Sequence, residues 1–146
     1  MGASLAATIE FREQGIVING EEMPNGELRF RMIDRDGNGY IRTETAVGGW
    51  QNSHSHKALY ETYVVEQGWM GFAEFLDGKM KLSLLSKGET VTTPIGMYHN
   101  VYLPSGAIIH TVKHGGASGA ADWTPCTHLD ELSKLVREDE ILLRTN

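Results

Sequence analysis

The sequence predicts an all-β protein: a sandwich or barrel of short strands with a short helix near its C-terminal end. Three observations predict this. First, strand-like runs recur at short intervals, separated by turn signals such as Asn25-Gly26, Asp36-Gly37 and Asp77-Gly78. Second, 17 of the 146 residues are glycine and only 4 are proline, as suits a hairpin-rich chain. Third, His54 and His56 precede Glu61 and, much later, His99, a set suited to a metal held inside a small β-barrel.

The elements follow in order. Ile16-Val17-Ile18 and Leu28 to Ile33 flank Asn25-Gly26. In the second run Leu28, Phe30 and Met32 alternate with Arg29 and Arg31, the pattern of a half-buried strand. Asp36-Gly37-Asn38-Gly39 turns the chain into Tyr40-Ile41-Arg42. Asp34 to Ile41 resembles the start of a calcium loop, but its twelfth position is Thr45 and its flanks read as strands, so a tight turn is expected instead. Phe72 to Leu76 and Met80 to Leu84 flank Asp77-Gly78 as a hairpin. Val101-Tyr102-Leu103 and Ala107 to Lys113 form another hairpin around Pro104-Ser105-Gly106. The Gly-rich stretch 115–121 reads as a linker rather than a lid. Thr127 and Asp130 then suggest the cap of a helix carrying Leu129, Leu132, Leu135 and Val136 as one apolar stripe.

The histidine pattern carries the chemistry. Residues two apart in a strand face the same way, so His54 and His56 can aim two ring nitrogens into one cavity. Glu61 falls on the opposite parity from His56, so a turn or bulge is required at Lys57-Ala58-Leu59. Tyr60 to Val65 has high β-propensity and starts the next strand. Pro94 and Gly96 suit a tight turn leading to His99. Imidazoles with one carboxylate favour Mn, Fe, Co, Ni or Zn over Ca or Mg.

These residues resemble the two sequence motifs of the cupin superfamily. Gly48-(5)-His54-x-His56-(4)-Glu61-(6)-Gly68 matches every fixed position of the first motif. Gly88-(5)-Pro94-x-Gly96-(2)-His99 matches the second up to its histidine. The usual closing Asn is Leu103 here, and Asn100 is out of register. The resemblance covers residues 44–114. It implies a double-stranded β-helix, or jelly-roll barrel, with His54, His56, Glu61 and His99 ligating a divalent transition metal. Residues 1–43 are expected to add N-terminal strands packed on the barrel, and 115–146 a loop and helix, all in one domain.

Composition excludes other classes. The net charge of −6 argues against nucleic acid as partner. No apolar run reaches membrane-spanning length, and Met1 to Ala7 lacks the features of a secretory signal. The single cysteine, Cys126, precludes an internal disulfide and fits the cytoplasm. No activating motif surrounds it, so it is not read as a nucleophile.

A cupin scaffold hosts many chemistries, and neighbouring side chains must choose among them. Tyr63 shares strand parity with Glu61, and Tyr98, His110 and Lys113 complete the candidate catalytic set. Such a polar cavity suits a small polyhydroxylated substrate. His99 to Pro104, His110 to Gly115 and Asp122-Trp123 are similar to segments of small single-domain cupins linked to sugar metabolism. The resulting expectation is a metal-dependent sugar or sugar-phosphate isomerase or epimerase. A non-haem Fe(II) dioxygenase and a non-catalytic small-molecule binding cupin are the alternatives. A homodimer is expected, from the N-terminal strands and the C-terminal apolar stripe.

Overall fold

The structure, a computed structural model, describes residues 9–11, 15–116 and 122–144. In chain order the strands begin with β1 (Ile9–Phe11), β2 (Ile16–Glu22), β3 (Leu28–Ile33), β4 (Gly39–Glu44) and β5 (Gly49–Trp50). They continue with β6 (His54–Ser55), β7 (Tyr60–Gln67), β8 (Trp69–Leu76) and β9 (Lys79–Ser86). The last are β10 (Thr90–Thr93), β11 (Tyr98–Leu103), β12 (Ile108–His114) and β13 (Thr124–Pro125). Helices α1 (Thr127–Ser133) and α2 (Glu138–Leu142) follow. One antiparallel sheet has the order β1-β2-β3-β4-β12-β7-β10, the other β13-β6-β11-β8-β9, with β5 also paired to β11. The non-sequential neighbours are those of a double-stranded β-helix, as expected.

Most expected turns are present. Asp77 and Gly78 both take positive φ, 52° and 74°, which suits the two-residue link between β8 and β9. At Asp34 the carboxylate accepts the N–H groups of Asp36 and Asn38, both at 2.9 Å, closing the tight turn between β3 and β4. The Gly-rich stretch 115–121 lies largely outside the described residues. Its start is tied down, since Asn38 Nδ2 donates to Gly116 O and Gly116 N donates back to Asn38 Oδ1.

The two sheets close over a core of Tyr63, Val65, Met70, Phe72, Leu85, Val101, Leu103, Ala107 and Ile109. Leu103, in the place of the motif's closing Asn, is wholly buried in it. Inward positions grade along each strand. In β7 they run Glu61, Tyr63, Val65; in β11, His99, Val101, Leu103; in β12, Lys113, Thr111, Ile109. One end of the barrel is therefore apolar and holds the fold together, while the other is polar and free for chemistry.

Two expectations are corrected. The alternation in β3 is present, but its apolar face is turned outward. Phe30 and Met32 are 40% and 41% exposed, while Arg29 and Arg31 line the barrel interior. The reason is pairing. Arg29 donates from Nε and Nη2 to the almost fully buried Glu27, and Arg31 pairs with Glu21. Partly buried guanidinium groups favour such partners, and Glu27 and Glu21 supply them on this face. The C-terminal helix is also two helices rather than one. Its cap is Cys126, without a side-chain bond, and Asp130 instead accepts Ser53 N–H at 2.8 Å. The break after Ser133 lets Val136 O accept the Trp50 indole N–H at 3.0 Å. It also lets Ile141 fill a slot over Gly71, where a Cβ would meet Ile141 at 3.1 Å. Leu129 is buried, whereas Leu135 is 79% exposed.

Candidate metal centre

His54 lies in β6 and His56 just beyond it, followed by a bend at Lys57-Ala58, within the segment where a turn was required. The Asp122 carboxylate makes that bend by accepting the N–H groups of Lys57 and Ala58, each at 2.7 Å. Burial works against the charge on Asp122, but these two donors prevail and hold its pKa below the ordinary value. Glu61 opens β7 on the inward face. His99 pairs directly opposite His54 across β6 and β11. Gly96, at φ 82°, donates its N–H to His56 O at 2.7 Å, joining the second motif's turn to the first.

The four side chains converge. Their ligand atoms all lie within 4.8 Å of one another. His54 Nε2, His56 Nε2 and His99 Nε2 stand 3.1, 2.7 and 3.0 Å from one atom, Glu61 Oε1. His56, Glu61 and His99 are buried.

Proton placement tests whether a cation belongs there. The Nδ1 atom of each histidine faces a backbone carbonyl: Asn52 O for His54, Asp122 O for His56 and Met97 O for His99. A carbonyl only accepts, so the assigned tautomer is Nδ1–H and each Nε2 presents a lone pair. Three lone pairs then point at a carboxylate oxygen. His56 Nε2, despite its 2.7 Å approach, is a buried nitrogen without a hydrogen-bond partner among the described residues. It is close to Glu61 without the geometry of a hydrogen bond to it. Protonating all three rings instead would bury three positive charges against one negative, each ion costing several kcal/mol. The donor set fits a divalent transition metal, and the outer Nδ1–H bonds are those that commonly orient such ligands.

Electrostatics agree. Burial opposes the charge on Glu61, and positive charge beside its oxygens, from imidazole N–H groups or from a cation in their place, holds its carboxyl well below the usual carboxylate range. Burial lowers the His54 pKa, favouring its neutral, ligating form. Tyr63 is buried with its hydroxyl 3.2 Å from both Glu61 Oε1 and His99 Nε2. Burial, then the Glu61 charge, pushes its phenol well above the ordinary value, so Tyr63 is a proton donor here.

A cavity of about 220 Å³ opens on the cluster. Tyr63 and Lys113 line it, as do Arg29, Arg31, Gln51 and Trp123. The other two candidates lie elsewhere. Tyr98 neighbours His99 in β11 and so faces the opposite way. His110 is on the outer face of β12, 2.5 Å from the Tyr40 hydroxyl and 2.7 Å from Glu66 Oε1. Neither lines this cavity, because odd positions of β11 and β12 point inward.

Sequence reasoning missed Arg29, Arg31 and the anchor Asp122. Glu27, Arg29 and Arg31 share one parity, and this mixed-charge row was the available signal for the first two. Asp122 shared no spacing with the motifs, since it reaches His56 across the fold. Its side chain and carbonyl hold one ligand in place. Asp122→Ala is expected to weaken metal affinity on the order of 10- to 100-fold while the fold persists, measured by competition with a chelating dye.

No family model matches the chain, and no curated protein matches it. Solved structures do. Oxalate decarboxylase from Bacillus subtilis superposes with a TM-score of 0.60 at 15% identity, over 97% of this chain and 40% of that one. This chain thus spans less than half of that enzyme. An uncharacterised double-stranded β-helix protein from Klebsiella pneumoniae gives 0.58 at 16% identity, over 73% and 84%. An oxalate oxidase gives 0.56 at 17%, over 83% and 71%. The chain shares the double-stranded β-helix fold of these neighbours, and its His54, His56, Glu61 and His99 cluster could hold a metal. Among the described residues no helix is long and apolar enough to cross a membrane.

Proposed function

We propose that this protein is a metal-dependent isomerase or epimerase acting on a small polyhydroxylated carbonyl compound. The observation that supports it is the opening of the His54, His56, Glu61 and His99 cluster onto a small polar cavity with the Tyr63 hydroxyl at its floor. A divalent metal bound there supplies Lewis acidity to substrate oxygens. Tyr63, held protonated, offers a hydrogen bond to an oxygen gaining negative charge. Gln51 and Thr111 provide further polar contacts, and Lys113, opposite Glu61 across β12 and β7, is placed to carry a proton or hold a charge. An oxalate decarboxylase and an oxalate oxidase among the fold neighbours show that the fold carries enzymes, which is consistent with this reading. The proposed assembly is a cytoplasmic homodimer, with the exposed Phe30, Met32 and Val112 offering an apolar outer surface.

The test is solvent D₂O exchange into candidate sugars, followed by NMR with metal-loaded and metal-stripped protein. Exchange should require metal, and Tyr63→Phe should lower its rate on the order of 100-fold. Oxygen uptake with an oxidised product would replace this assignment with a non-haem Fe(II) dioxygenase. Saturable binding without exchange would replace it with a binding module.

A further inference from the structure

Three cationic side chains, Arg29, Arg31 and Lys113, line the cavity over the metal cluster. Their pairing is incomplete. Arg29 spends Nε and Nη2 on Glu27, leaving Nη1 without a bond among the described residues. Glu27 is further engaged by Gln51 Nε2, which lies 3.3 and 3.2 Å from its two oxygens. Lys113 Nζ makes no hydrogen bond or ion pair among the described residues. The carboxylate that influences it, Asp122, is already engaged by two backbone N–H groups. With a divalent metal bound, these cations outweigh Glu61, Glu27, Glu21 and Asp122 by one charge. An inward cationic wall of this kind has a desolvation cost that an anionic ligand offsets.

The cavity also has an outer compartment. About 360 Å³ of space adjoins it, sharing Arg29, Gln51, His54 and Trp123 and adding Trp50 and Met23. The inner chamber alone, at about 220 Å³, is below the ~300–1,000 Å³ of ordinary ligand sites. Trp50 is fixed by its bond to Val136 O and by edge contact with Tyr102 at 5.4 Å. Trp123 is 52% exposed and stacks on His54, with centroids 5.6 Å apart and planes at 23°. An indole in that position offers a flat face for a ring.

We infer that the ligand of this site is an anionic ring compound, a carboxylate or phosphate monoester carried on a sugar-like ring. Its charged group meets Lys113 and Arg29 and its ring lies against Trp123. This rests on the proposed function and names the charge and shape of its substrate.

Calorimetric titration of the metal-loaded chain with D-glucuronate, D-glucose 6-phosphate and D-glucose tests it. At least one of the two anions should bind about tenfold or more tightly than glucose, and the stronger of them distinguishes carboxylate from phosphate. Lys113→Gln should weaken that anion about tenfold and leave metal content unchanged. It is the preferred variant because Lys113 supports no other bond, whereas Arg29→Gln would strand buried Glu27. Trp123→Ala should weaken the sugar anion, and Arg42→Gln, on the outer face, should leave it unchanged. Glucose binding as tightly as both anions, neither anion binding at millimolar concentration, or unchanged affinity in Lys113→Gln would overturn the anion site. Unchanged affinity in Trp123→Ala would overturn the ring platform. Anion binding without D₂O exchange into any sugar sinks the isomerase alone, whereas exchange with neutral sugars binding equally well sinks this inference alone.

Discussion

Replacing His54 and His56 together by alanine is expected to abolish metal binding while leaving a folded protein. The two Nε2 atoms removed are half of the ligand set, and His56 Nε2 is a buried nitrogen without a hydrogen-bond partner among the described residues, which a cation would satisfy. The local backbone has other supports: Ser53 N–H donates to Asp130, Gly96 N–H to His56 O, and β13 pairs with β6. The metal-free double variant should therefore unfold near the temperature of metal-free wild type. The difference appears on adding metal. A ligand at a hundredfold excess over its Kd stabilises a protein by about 2.7 kcal/mol. For a chain of this length that raises the melting temperature by about 5–10 °C. Wild type should show the shift and the double variant none, with elemental analysis reading metal content alongside. Full occupancy in the double variant would place the site elsewhere.

Phe72→Ala is expected to cause the largest loss of stability, about 3–5 kcal/mol, a sizeable part of the 5–15 kcal/mol typical of a domain. Phe72 is fully buried and lies between the two ends of the barrel. Its ring stacks on His99 at 5.9 Å and meets Tyr63 at 6.0 Å, so the cavity would also loosen a metal ligand. Phe30→Ala is the contrasting variant. The alternation of β3 invites a core assignment, but Phe30 is on the outer face, and its loss should cost the lone chain less than about 1 kcal/mol. Chemical denaturation of both variants at low protein concentration reads the difference. Equal losses would mean that β3 faces the other way.

The metal cluster was legible in the sequence because its signal is local in the first motif and a spacing in the second. Strand parity, together with a bend at Lys57-Ala58, is enough to bring His54, His56 and Glu61 together. The turns were legible for the same reason, since Asp77-Gly78 and Asp34 to Asn38 are self-contained hydrogen-bonded units. What was not legible depends on partners distant in the chain. The orientation of β3 follows from Glu21 and Glu27 drawing Arg31 and Arg29 inward, which periodicity alone does not reveal. The outward face of His110 follows from its register against β4 and β7, which brings Tyr40 and Glu66 to it. The break between α1 and α2 reflects Trp50 and Gly71, residues more than sixty positions away. Asn100, out of register as a motif residue, turns from His99 and donates to Ser133 Oγ at 3.0 Å, pinning α1 to the barrel.

The central claim is that His54, His56, Glu61 and His99 form one metal centre. X-ray absorption spectroscopy of the metal-reconstituted protein tests it most directly, because the scattering of imidazole rings counts them around the ion. About one transition-metal ion per chain is expected, with three imidazoles and at least one oxygen ligand in its coordination shell. A stoichiometric ion with fewer than three imidazoles, or no retained ion after reconstitution and buffer exchange, would contradict it.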